Sequence, residues 1–328
     1  MSPGVLPART LHRLLDSIPP ASGAVVMGTG IVSVALLLDG RHLLSTILLV
    51  LDAIIWLALA VLLPARARRD GHRFAVDLRH PTALTSIAGT EVLGTRLTLA
   101  GWAWAGAGLL VIGTAIWLGL VPHVLRHWQT PTIGASFILT VATESLALLA
   151  ATLAFSDRAA WLLYAALGPF ALGLCFYGLV LSRFQFAQLV VGVGDHWVTG
   201  GALAISTLAA GRIAIAAQHT ASLQGAHGAL KTIALLLWCL TMVWLPALIA
   251  CEILRPRLSY TVRRWSTVFP VGMYAACSFI VGELTETRGI VDFARGWVWV
   301  ALAVWLVVFT GMVARAPRLV VTPGGGPT

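Results

Sequence analysis

The sequence predicts an all-α integral membrane protein of ten transmembrane helices, on three observations. Of 328 residues, 58% are hydrophobic and 11% charged, whereas a soluble domain carries roughly 25% charged residues. Ten apolar runs each approach the length a bilayer requires, roughly 20 residues. The basic residues gather in alternate connections, the pattern of loops facing the cytoplasm. A mean hydropathy of +0.88 agrees with bilayer as the solvent.

The runs cover residues 22–38, 43–63, 82–100, 102–121, 133–155, 159–181, 196–216, 230–252, 266–282 and 295–313. Short turns join them, so residues 21–315 read as one ten-helix transmembrane domain. Before it, residues 1–20 hold Arg9, Arg13 and Asp16 and lack an apolar core, which argues against a signal peptide. Leu11, Leu14, Leu15 and Ile18 repeat at helical spacing after Thr10. They predict a cytoplasmic amphipathic segment lying on the membrane surface. The tail, 316–328, ends in Pro-Gly-Gly-Gly-Pro-Thr and reads as disordered.

Fifteen of the 22 basic residues fall on one side of this topology and six on the other, with Arg212 inside a run. That bias puts both termini in the cytoplasm. It also accounts for the net charge of +9 without nucleic acid, since no soluble basic domain exists to bind it. Only Lys231 is lysine among the basic residues, a composition typical of a GC-rich bacterial genome, so the expected location is a bacterial cytoplasmic membrane. Cys175, Cys239, Cys251 and Cys277 lie in or beside apolar runs without a Cys-x-x-Cys pair. They read as buried hydrophobes, not as disulfides or metal ligands.

The odd-numbered runs carry stripes of small and hydroxyl residues. The first has Gly28, Thr29, Gly30 and Ser33, and the third Gly89, Thr90 and Gly94. The fifth has Ser136, Thr140 and Thr143, the seventh Gly200, Ala204, Thr207 and Gly211, and the ninth Ser266 and Gly272. Many step by three, four or seven residues and so share a helix face. Close helix packing explains such stripes in any one helix. Their alternation with bulky even-numbered runs, such as Leu235-Leu236-Leu237-Trp238, points instead to five hairpins with inner helices lining a pore.

Charges inside a span are functional candidates by default. Arg96 and Arg212 fall in the outer thirds of their runs, where they either form a cationic vestibule for anions or snorkel to the interface. Glu91 and Glu144 sit near mid-span at similar depth. The open readings are a neutral acid, a partner for a neighbouring arginine, a side chain turned from the pore, or a proton-coupling group. Glu91 lies about 200° around the helix from Gly89 by the 3.6-residue period, so the two face different ways. His123 and His127 have the spacing of a metal pair but no carboxylate or cysteine beside them, so no metal or other cofactor is expected. His196, after Asp195, is a candidate titrating group at the inner mouth. No nucleophile–base pair, His-Glu-x-x-His or phosphate-binding loop is present, so the chain is not read as an enzyme.

Three stretches carry a family resemblance: Val26-Met27-Gly28-Thr29-Gly30-Ile31-Val32-Ser33; His80-Pro81 leading to Gly89-Thr90; and Trp265-Ser266-Thr267-Val268-Phe269-Pro270-Val271-Gly272-Met273-Tyr274. In this order, over roughly residues 20–315, the chain resembles the tellurite-resistance and dicarboxylate transporter family, which includes plant slow-type anion channels and fungal sulfite pumps. The resemblance implies five tandem helical hairpins around a quasi-fivefold central pore, a homotrimer with one pore per subunit, and a phenylalanine plug that maps onto Phe269. The expected function is a channel or facilitator for small inorganic or organic anions. The alternative is a proton-coupled carrier or exporter of four-carbon dicarboxylate, sulfite or tellurite, working through Glu91 or Glu144.

Overall fold

The computed structural model describes residues 18–157, 159–192, 194–256 and 260–321. Most of the expected N-terminal amphipathic segment and the end of the tail lie outside these residues. The described chain is helical, with ten principal helices in chain order. They are α1 Gly23–Leu38, α2 His42–Arg69, α3 Thr85–Leu99, α4 Ala103–Arg126, α5 Ile138–Ser156, α6 Ala160–Leu181, α7 Val198–Gln218, α8 His227–Leu254, α9 Trp265–Leu284 and α10 Arg288–Val321.

Eight of the ten, α2 and α4 to α10, are long and apolar enough to cross a membrane, which makes this a multi-pass membrane protein. The other two differ for physical reasons. α1 is apolar but has only 16 residues, about 24 Å at 1.5 Å per residue. α3 has 15 residues, two of them the charged Glu91 and Arg96.

Several helices outrun the expected spans. α4 passes through Pro122 to Arg126, and α8 through Pro246 to Leu254. α10 continues to Val321, past the boundary expected at 315. Proline removes one backbone hydrogen bond from a helix interior, and here flanking packing carries the helix through it.

The helices form two concentric layers. α1, α3, α5, α7 and α9 contact one another in a closed ring, α1 to α3 to α5 to α7 to α9 and back to α1. Each outer helix packs against the inner helix before it and the inner helix after it, with α10 closing onto α1. Burial follows the composition. Nearly every residue of the odd helices is buried, whereas the even helices turn Leu43, Val61, Val111, Trp161, Val243 and Val307 outward. An outward apolar face is stable only against lipid or another apolar surface.

The inner helices share a local start. A 3₁₀ turn leads each one in: Pro20–Ser22, Pro81–Leu84, Gly134–Phe137, Asp195–Trp197 and Val262–Arg264. Proline opens the first two, where its missing N–H costs nothing. These turns touch around the same end of the ring, where a Cβ on Gly134 would strike the backbone of Asp195 and His196. A seven-residue helix, Gly71–Asp77, crosses between α2 and α3, capped by Asp70 on Arg73 N–H.

Candidate functional site

The interior of the ring is the candidate site. Phe269 and Trp265 of α9 are fully enclosed. The residues around Phe269 lock α9 to both ring neighbours. A Cβ on Gly28 of α1 would meet Trp265 and Val268 at 3.1–3.4 Å, one on Gly272 would meet Ile31 of α1 at 2.8 Å, and one on Gly201 of α7 would meet Pro270 at 2.6 Å. The small residues therefore let bulky α9 side chains enter the ring.

The other glycines of the stripes also sit at helix contacts. Gly30 faces Asp52 of α2 and Val92 of α3, Gly89 faces Val26 of α1, and Gly94 faces Leu149 of α5 and Leu109 of α4. Gly200 faces Tyr274 of α9 with Leu248 and Trp244 of α8, and Gly211 faces Ile280 of α9. Ser136 caps its helix start by accepting from Ile133 N–H at 3.2 Å. Ala204, Ser266 and Thr140 are buried, and the Thr140 hydroxyl has no hydrogen-bond partner among the described residues.

Four hydroxyls of the inner helices bind tryptophans of the outer layer. Trp56 of α2 donates from Nε1 to Thr90 Oγ1 at 2.9 Å, and Trp117 of α4 to Thr143 Oγ1 at 3.0 Å. Trp238 of α8 donates to Ser278 Oγ at 2.8 Å, and Trp305 of α10 to Thr29 Oγ1 at 3.0 Å. In each case an outer helix binds the inner helix that follows it around the ring. α6 has Tyr177 at the matching place in sequence, and its hydroxyl accepts from Trp244 Nε1 at 2.8 Å. Thr207 pairs with Thr241 of α8 at 3.1 Å. Thr29, Thr90, Thr143 and Thr207 thus direct their hydroxyls to the outer layer.

These aromatic latches are absent from the sequence reading. The available signal was the nearly constant spacing of Trp56, Trp117, Tyr177 and Trp238 along the chain. Interhelical hydrogen bonds in membranes average about 0.6 kcal/mol, so four such bonds contribute a few kcal/mol at most. They fix rotation of the outer helices more than they hold the bundle together.

Arg96 of α3 is 2% exposed. Its Nε donates to Ser33 Oγ of α1 at 3.1 Å and Ser45 Oγ of α2 at 3.0 Å. The two serines also bind each other's carbonyls, at 2.7 and 2.6 Å. Nη1 is buried with no acceptor, and no carboxylate pairs with Arg96 among the described residues. Removing an unpaired cation from water costs several kcal/mol, a cost that a counter-charge within reach of Nη1 would lower. Arg212 of α7 is half-buried, with Glu283 at the end of α9 as its acidic neighbour. The two arginines lie on helices that are not neighbours in the ring.

Glu91 and Glu144 point between inner and outer helices. A Cβ on Gly113 of α4 would collide with the Glu91 carboxylate, and one on Gly173 of α6 would lie 2.6 Å from Glu144 Oε1. Glu144 Oε1 accepts from Ser206 Oγ of α7 at 3.0 Å. Neither oxygen of Glu91, nor Oε2 of Glu144, has a partner among the described residues. Neither carboxylate forms an ion pair there. A third buried carboxyl, Asp52 of α2, is equally unpartnered and faces Gly30. It escaped the sequence reading because one acidic residue in a bulky outer run gives no sign of which helix it faces.

At the end carrying the 3₁₀ turns, Asp195 and Arg263 both lie within electrostatic reach of His80. His80 Nδ1 meets Thr82 Oγ1 at 2.8 Å. Withdrawal of the ring from water and then Arg263 hold His80 below the usual histidine value, against the opposing pull of Asp195. His196 is fully buried, with Nε2 3.7 Å from Glu252 Oε2. Glu252 also binds Arg264 at 3.0 Å and Trp197 Nε1 at 3.2 Å, joining α8 to the 3₁₀ turns that lead into α7 and α9. The His123 and His127 rings lie 4.8 Å apart, and His127 Nδ1 is 2.9 Å from the His123 carbonyl.

A family model described as a voltage-dependent anion channel matches residues 17–313, nearly the whole chain. Uncharacterized membrane proteins of two Mycobacterium tuberculosis strains, CDC 1551 / Oshkosh and H37Rv, are each 30% identical over 122 residues. The match covers 36% of this chain and 61% of those relatives.

Proposed function

Because this chain belongs to the voltage-dependent anion channel family, we propose that it conducts small inorganic or organic anions along the axis of its inner ring. The observation that carries this reading is Arg96: a buried guanidinium whose Nη1 has no acceptor and which pairs with no carboxylate among the described residues. A site with one cation and otherwise neutral walls holds an anion weakly enough to release it. With four threonines turned outward, the task of replacing anion hydration falls to Thr140 and Arg96. Arg212 adds positive charge at the same end of the ring as Arg96.

In this reading Phe269 is the plug. It is bulky and fully enclosed. Pro270 follows it and removes a backbone hydrogen bond from α9, which eases local rearrangement. α1 and α3, each led in by a 3₁₀ turn, complete ten crossings. The same proposal includes a quasi-fivefold pore, supported by the closed ring, and both termini in the cytoplasm, supported by the basic-residue bias; the homotrimer rests on the family resemblance alone and the bacterial cytoplasmic membrane on composition.

The test is flux of chloride, nitrate, sulfite and malate into proteoliposomes, with and without a pH gradient. Phe269→Ala is expected to raise anion conductance at least several-fold. Unchanged conductance in a folded variant removes the plug assignment.

A second reading has one specific support, the buried carboxyls of Asp52, Glu91 and Glu144, which form no ion pair among the described residues. A proton-coupled carrier of dicarboxylate, sulfite or tellurite would load a proton on Glu91 or Glu144. Its uptake would follow the pH gradient, and Glu144→Gln would abolish that dependence. Flux indifferent to the gradient selects the channel.

A further inference from the structure

A cavity of about 630 Å³ lies outside the ring, between α2 and α4. Its size is that of a small-molecule site. Leu59 and Leu63 of α2 and Ile112 and Ile116 of α4 form its walls, and Val26 and Gly89 its floor. Trp56 and Arg66 both line it, so it runs about 15 Å along α2 at 1.5 Å per residue. The lining is mostly apolar, and its charged side chains, Arg66 and Asp77, lie at one end.

At that end the cavity meets Arg66, His123 and the short helix Gly71–Asp77. Arg66 uses Nη2 to pair with Asp77, and its guanidinium lies 5.8 Å from the Phe74 ring centroid. Arg66 Nη1 and His123 Nε2 are both buried without a partner among the described residues. The connection from 64 to 81 holds five arginines against Asp70 and Asp77, so the net charge there is positive. An apolar slot with a cationic end, flanked by two lipid-facing helices, matches a molecule with an acyl tail and an anionic head.

We propose that this cavity binds an anionic phospholipid, with one acyl chain between α2 and α4 and its phosphate at Arg66 Nη1 and His123 Nε2. Asp77 lines the same end but stays paired with Arg66, which offsets its repulsion of the phosphate. The buried tail would touch Val26 and Gly89, where α1 meets α3, and would lie beside the Trp56–Thr90 bond. The proposal requires a membrane protein, not an anion channel, so it survives a failure of the transport reading.

The test uses the purified full-length chain with phosphatidylglycerol, phosphatidylcholine or inorganic phosphate, read by native mass spectrometry and by melting temperature. Wild type is expected to retain phosphatidylglycerol through detergent exchange and to gain melting temperature from it, with phosphatidylcholine weaker. Gly119 lines the cavity, and a Cβ there meets nothing within 4 Å. Gly119→Trp should therefore fill the slot and abolish both retention and shift. Ala60→Trp, on the α2 wall, serves if Gly119→Trp does not fold. Arg66→Gln and His123→Gln should bring the two lipids to parity. Undiminished retention in a folded filled variant overturns the proposal. So does equal retention of both lipids by wild type, or a melting shift from inorganic phosphate matching that from phosphatidylglycerol.

Discussion

The Arg96 guanidinium donates from Nε to the Ser33 hydroxyl at 3.1 Å, tying α3 to α1 across the ring contact. Ser45 of α2 shares the same nitrogen at 3.0 Å. Nε is thus committed to structure, whereas Nη1 has no partner among the described residues, and it is this end that the transport proposal gives to an anion.

Arg96→Gln should therefore lower anion flux at least tenfold while keeping the fold, since its amide can still reach the serines. Arg96→Lys retains the charge but loses the planar geometry that meets both serines, and should fall between. Proteoliposome flux beside melting temperature separates the two effects. Full flux in a folded Arg96→Gln would remove Arg96 from the conduction path.

Gly113→Ala should destabilise the protein by about 1–3 kcal/mol, the usual cost of overpacking a filled site, because the new methyl collides with the Glu91 carboxylate. Combining it with Glu91→Ala should recover much of that loss, giving a non-additive cycle. Additive losses in chemical or thermal unfolding would show that the two residues do not share the space.

The latches predict a graded response. Trp56→Phe and Trp238→Phe each leave a buried hydroxyl without its donor and should cost about 0.5–2 kcal/mol. Trp104, 80% exposed, serves as the control, and Trp104→Phe should be near neutral. Equal losses at all three positions would point to ring volume and not the hydrogen bond.

His80 gives a pH dependence of stability. Its folded value lies below the ordinary one, near 6.5 in an unfolded chain. As pH falls through and below that value, the unfolded chain takes up a proton first. The contribution of His80 is thus present above the ordinary value and is lost on acidification. His80→Gln should flatten the acid limb of a melting-temperature profile, and superimposable profiles would count against the assignment.

Much of the layering was legible in the sequence because composition alternates along the chain. Small residues mark helices enclosed on all sides, and runs such as Leu235-Leu236-Leu237-Trp238 mark those with an outer face. Azimuth was less legible. The seven-residue step from Gly89 to Arg96 did place both toward α1. Nothing local indicates that Thr90 turns to Trp56, because a hydroxyl can face an axis or a neighbour with the same spacing. Gly113 and Gly173 gained meaning only when the hairpins closed against Glu91 and Glu144. α1 and α3, with 16 and 15 residues, are the shortest of the ten principal helices, and α3 also carries Glu91 and Arg96.

The first three hairpins each hold one carboxyl against one glycine, but the donors are exchanged. Asp52 lies on the outer helix opposite Gly30, whereas Glu91 and Glu144 lie on inner helices opposite Gly113 and Gly173. The hairpin evidently specifies a shared volume and leaves open which of its two arms fills it. Reciprocal swaps within a hairpin should then be better tolerated than either single change, and a designer could move acidic groups between the layers of this bundle without redrawing its backbone.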